Sequence, residues 1–145
     1  MADSWLNIKQ MIRLAGLGQV MLALGSLAVP GVLSWRAELI KVQPLIKQMF
    51  WVYAAYIFVI NLCFALLSIF DSHDLQNGST IAILITGFIS LYWVSRVLIQ
   101  FFYFDRKNFP AGGWHRAAEV LLVAAFVFFS LVYGWVCCIN LQAVK

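Results

Sequence analysis

Apolar residues in this chain neither alternate with polar ones at period two nor confine themselves to one helical stripe. They gather into four long runs separated by three short polar breaks. The runs cover about residues 12–33, 49–70, 81–104 and 115–141. Each reaches or exceeds the ~20 predominantly apolar residues that a helix needs to cross the hydrocarbon of a bilayer. The ~10-residue alternating units of a membrane barrel are missing, so strands are disfavoured. Short breaks between consecutive runs favour neighbours that run in opposite directions. The expected architecture is an all-α integral membrane protein, a four-helix antiparallel up-down bundle forming a single membrane domain over residues 1–145.

The breaks carry their own signals. Pro30 stands near the end of the first run and is expected to kink or end its helix, because it lacks an N–H and crowds the preceding turn. Pro44 follows the connection SWRAELIKVQ and suits the first turn of the next helix. The segment DSHDLQNGS reads as a solvated polar turn, and DRKNFPAGG, with Pro110 and Gly112-Gly113, is the strongest breaker in the chain. Gly16, Gly18, Gly25 and Gly31 in the first run permit close helix approach, although strict G-x-x-x-G spacing is missing. Residues 1–11 lack the apolar core and small-residue cleavage site of a signal peptide, so the first run is expected to be retained. Trp5, Ile8 and Ile12, beside Lys9 and Arg13, suit a short helix in the headgroup layer, and a frayed terminus is the alternative.

Composition removes several function classes. Hydrophobic residues make up 63% of the 145 and charged residues 11%, against roughly 45–50% and 25% in soluble domains. Four spans would use nearly all the apolar residues, which leaves no material for a soluble catalytic or nucleotide-binding domain. The net charge of +4 does not indicate nucleic acid, because the basic residues sit in the connections and no basic run is interleaved with aromatics. Cys63, Cys137 and Cys138 lie within apolar runs without C-x-x-C spacing and read as membrane filler. Lys9, Arg13 and Lys145 fall on one side, while Arg36, Lys41, Lys47, Arg106, Lys107 and Arg116 fall on the other. The excess of Lys and Arg in cytoplasmic loops then places the first and third connections in the cytoplasm and both termini outside. The expected location is the cell membrane, the inner one in a bacterium.

With the apolar residues assigned to the bilayer, information concentrates in the polar residues that do not suit it. Arg96 leads them, because it lies eight residues before Phe104, about 12 Å along a helix. An Arg at the centre of a span costs about 2.5 to 3.5 kcal/mol, less where it snorkels, so company is expected. Tyr92, Arg96, Gln100 and Tyr103 share one helical stripe. Glu119 enters from the same end on the next helix, and Tyr53 and Tyr56 lie at comparable depth on the second. The expected cluster is therefore Tyr53, Tyr56, Tyr92, Arg96, Gln100 and Glu119, with His115 and Arg116 as local rivals for Glu119. It reads either as a structural ion pair that fixes helix register or as a site for the polar head of a lipid, quinone or isoprenoid. A third reading pairs Arg96 with another subunit.

Asn61 and Gln19 are expected to make interhelical hydrogen bonds, with Ser130 and Tyr133 joining Gln19 in a second polar layer. His73 and His115 flank opposite ends of the third run, which disfavours a shared metal or haem. Asp71, His73 and Asp74 read as a solvated turn rather than a cation site. No catalytic triad, zinc motif or phosphate-binding glycine loop is present. The leading expectation is a noncatalytic accessory or structural subunit of a larger membrane complex, associated with other subunits or with itself. The alternatives are a binder, carrier or enzyme for a lipid or quinone acting through Arg96 and Glu119, and a small oligomeric transporter or channel.

Overall fold

A computed structural model of the protein describes residues 2–104 and 112–144, with side chains from Asn7 onward. The side chain of Trp5, the basic pair Arg106 and Lys107, Pro110 and Lys145 lie outside the described residues. The described chain is all-helical: α1 (Ala2–Ser26), α2 (Val29–Val32), α3 (Trp35–Leu39), α4 (Pro44–Phe70), α5 (Thr80–Phe102) and α6 (Gly113–Ala143), with one 3-10 turn at Asp74–Gln76. Four stretches are long and apolar enough to cross a membrane: Asn7–Val32, Pro44–Phe70, Thr80–Phe102 and Gly113–Ala143.

Local chemistry sets the helix ends. Leu27 and Ala28 bond back to Leu24 and Gly25, tightening the end of α1, and the chain re-enters helix at α2 with Pro30 in its first turn. Ser34 then adopts a left-handed conformation, φ 50° and ψ 38°, and turns the chain into α3. What the pattern presents as a plain connection thus holds a short helix. Pro44 opens α4 after an extended Gln43, where its missing N–H costs nothing. The Ser79 hydroxyl caps α5 by accepting from the Ala82 N–H at 3.1 Å.

The segment between α4 and α5 is only partly solvated. Asp71, His73, Asp74 and Asn77 are exposed, but Ser72, Leu75 and Gln76 are buried. Leu75 packs with Ile8, Ile12 and Val136, and Asn140 of α6, itself buried, donates to the Leu75 carbonyl at 2.8 Å and accepts from the Gly78 N–H at 3.1 Å. Gly78 has φ +72° and an added Cβ would lie 2.9 Å from Ala143 Cβ, so both conformation and space require glycine there. From the other side, Arg13 Nε donates to Ser72 Oγ at 3.3 Å.

The long helices pack with α5 against α6, α1 against α4, and α1 also against α6. Along α5, rising residue numbers meet falling numbers on α6. The Cys137 thiol approaches the Ile83 carbonyl at 3.7 Å, Ser90 donates to the Ser130 carbonyl at 3.2 Å, and Gln100 reaches Glu119 at 3.4 Å. Between α1 and α4 the close approach centres on Gly16, where a Cβ would come within 2.9 Å of both Ser68 Cβ and Ile69 Cγ1. One aromatic core links the helices. Trp93 sits 4.8 Å from Phe129 and 5.3 Å from Phe126 by ring centroids, and Tyr92 lies 5.2 Å from Phe64.

The outer surface is far more apolar than that of a soluble domain, and several polar side chains lie within the apolar core. The interior holds Gln19, Asn61, Ser68, Thr86, Gln100 and Asn140, while Met21, Leu91 and Leu121 are among the many large apolar side chains facing outward. Soluble monomers rarely expose contiguous apolar patches beyond a few hundred Å².

Candidate functional site

On α5 the inward stripe runs through Ala82, Thr86, Ile89, Trp93 and Gln100, and steps of four and three residues place Arg96 on it between the last two. A half-buried cation therefore stands on the inward stripe, one turn beyond a buried tryptophan. Arg96 Nη2 donates to the Tyr92 hydroxyl at 3.3 Å, and its guanidinium carbon lies 5.5 Å from the centroid of the Tyr92 ring. Both contacts favour the cation, one by hydrogen bonding and one through the negative face of the ring. Tyr92 is held in turn by edge-on contacts with Phe64 and Trp93, each at 5.2 Å. Among the described residues no carboxylate forms an ion pair with Arg96.

One turn further along, Gln100 is buried and donates from Nε2 to Glu119 Oε1 at 3.4 Å. The structure thus links Tyr92 with Arg96 and Gln100 with Glu119, without an Arg96–Glu119 ion pair. The anticipated local pairs of Glu119 with His115 or Arg116 are likewise not among the ion pairs of the described residues. Tyr53 and Tyr56 stand apart from the cluster, 58% and 62% exposed on α4. Helix rotation explains this: the inward face of α4 is Asn61, Phe64, Ala65 and Ser68. Stepping back from it reaches Phe58, Ala54 and Trp51 rather than either tyrosine.

A second polar layer lies toward the other end. Gln19 of α1 donates from Nε2 to the Tyr133 hydroxyl of α6 at 2.7 Å, and Ser68 of α4 shares a short hydrogen bond with the same hydroxyl. All three side chains are fully buried, so one oxygen ties three helices together. Ser130 turns back to the Phe126 carbonyl of its own helix at 2.8 Å instead of joining them. Asn61 is buried, and its Oδ1 has no hydrogen-bond partner.

Sequence reading passed over Ser68 and Asn140, although helical spacing marks both. Ser68 lies seven residues after Asn61, and Asn140 seven after Tyr133, each on the polar inward stripe of its helix. Among the described residues no group of three His, Cys, Asp or Glu side chains is arranged to hold a metal ion. His73 approaches its neighbour Asp74 at 3.3 Å in an exposed pair. No family model, curated protein or solved structure matches the chain.

Proposed function

We propose that the chain spans a bilayer as an antiparallel up-down bundle and serves as a noncatalytic subunit of a larger membrane assembly. Its first and third connections face the cytoplasm and both termini lie outside. The bilayer reading rests on the apolar outer surface, because outward apolar side chains suit lipid while buried Gln19 and Gln100 bond across helices.

The observation that carries the subunit reading is Arg96. A guanidinium on the core stripe of α5 meets a tyrosine hydroxyl and ring but no carboxylate among the described residues. In a span, a phenol offsets only part of the cost of a cation, so an acceptor on a neighbouring protein helix completes its surroundings. The test is purification of the chain from native membranes in mild detergent. The proposal expects larger partners to co-purify with the natural chain and with Arg96→Lys, and to be lost with Arg96→Leu while the bundle itself still folds. A particle containing this chain alone, or partners unaffected by Arg96→Leu, would overturn it.

The partial exposure of Arg96 also suits the polar head of a quinone or lipid. That second reading expects an amphiphile enriched in the purified protein and lost with Arg96→Leu, with no protein partner.

A further inference from the structure

The first connection and the start of α4 build a groove that belongs to neither polar layer. Its volume is about 480 Å³ and its walls are Arg36, Ile40, Lys47 and Trp51. Two helical pairs with the same spacing make it. Arg36 and Ile40 are four residues apart on α3 and its cap, and Lys47 and Trp51 are four apart on α4. Residues at this spacing share one helix face, so each wall presents a cation followed by an apolar side chain.

The walls are held in place. Trp35 of α3 packs edge-on against Phe50 at 4.7 Å and against Trp51 at 6.1 Å. Leu39 of α3 is buried. On the same connection Lys41 neutralises Glu38 by bonding to both of its carboxylate oxygens, at 3.0 and 3.1 Å. Arg36 and Lys47 make no ion pair with any described residue. Among the described residues, the groove's two positive charges therefore have no carboxylate partner.

We infer that this groove binds one anionic phospholipid, its phosphate between Arg36 and Lys47 and its acyl chain along Ile40 and Trp51. Depth favours a lipid over a free anion. Lys47 lies three residues inside Pro44, about 5 Å along the helix and level with headgroups, and Trp51 lies about 6 Å deeper, where acyl chains begin. Guanidinium binds phosphate oxygens through two parallel N–H donors, whereas the ammonium of Lys47 acts as a point charge. Ile40, 74% exposed, supplies an apolar wall that inorganic phosphate would not use. On the proposed orientation this connection is cytoplasmic, the leaflet face on which anionic lipids attract basic residues. The inference needs the bilayer but no partner at Arg96.

The test uses the purified full chain in mild detergent, supplied with phosphatidylglycerol or phosphatidylcholine, with retained lipid counted by native mass spectrometry. The natural chain is expected to retain phosphatidylglycerol selectively. Removing both cations in Arg36→Gln/Lys47→Gln lowers that retention about 30-fold, from the contribution of each basic residue near an anionic surface. Arg36→Lys/Lys47→Arg preserves selectivity, and Glu38→Gln/Lys41→Gln, which removes a neutral pair, changes retention by less than about two-fold. Equal retention of both lipids by the natural chain would overturn the inference without reference to any variant. So would selective retention that survives Arg36→Gln/Lys47→Gln, or displacement of the lipid by millimolar inorganic phosphate, which would mark a free-anion site. Because Arg96 is unchanged throughout, failure here is separable from failure of the subunit reading.

Discussion

Replacing Tyr133 with Phe removes one oxygen from the centre of the bundle while keeping the ring that packs there. Gln19 Nε2 then loses its acceptor at 2.7 Å, and Gln19 Oε1 has no partner to begin with. The whole amide is left without a hydrogen bond in a site with 0% exposure. Ser68 is less affected, because its hydroxyl still bonds to the Phe64 carbonyl at 2.7 Å. Leaving a buried polar group unsatisfied costs about 1–3 kcal/mol. Interhelical hydrogen bonds in membranes average only about 0.6 kcal/mol and reach about 1.7. The expected destabilisation of Tyr133→Phe is therefore about 1–2 kcal/mol, at the upper end of the membrane range because one oxygen serves two other helices. The assay is SDS-driven unfolding in mixed micelles, followed by tryptophan fluorescence. Gln19→Leu/Tyr133→Phe removes both partners and should cost less than the sum of the single changes, with a coupling of about 0.5–1.5 kcal/mol. A Tyr133→Phe protein as stable as the natural one, or strictly additive single costs, would refute the three-helix tie.

Other changes test other joints. Gly16→Leu forces side-chain atoms into α4 where even a Cβ is too close, and should destabilise by about 1–3 kcal/mol in the same assay. Gly25→Leu, where a Cβ meets nothing within 4 Å, should have little effect. Asn140→Leu orphans the Gly78 N–H and the Leu75 carbonyl, so residues 71–79 should become susceptible to limited proteolysis while α4 and α5 stay intact. For orientation, a cysteine replacing Lys41 should react with a membrane-impermeant maleimide only from the cytoplasmic side, and one replacing His73 only from outside. Labelling from the reverse sides would invert the proposed topology.

The four long helices were legible because a long apolar run carries its own length signal and needs no knowledge of neighbours. The Tyr92–Arg96 contact was legible for a related reason, since its four-residue spacing lies within one helix. Gln100 and Glu119 come together because the end of α5 packs against the start of α6. Tyr53 and Tyr56 were misplaced beside them because depth along a helix says nothing of rotation about its axis. That rotation is set by the face containing Asn61, Phe64, Ala65 and Ser68. The burial within DSHDLQNGS was hidden for a different reason. Its causes are distant in the sequence: Ile8, Ile12 and Arg13 on one side, Val136 and Asn140 on the other. Polar segments look solvated until a distant side chain is known to reach them. The α3 helix escaped notice because five residues are too few to show a periodic signal.

Everything proposed for Arg96 and for the Arg36–Lys47 groove requires that lipid surround the outward apolar faces. Alkaline carbonate extraction of membranes from cells expressing the chain tests this most directly. The account predicts that the protein stays in the membrane pellet and leaves it only with detergent. Release into the supernatant as a folded, detergent-free particle would contradict it.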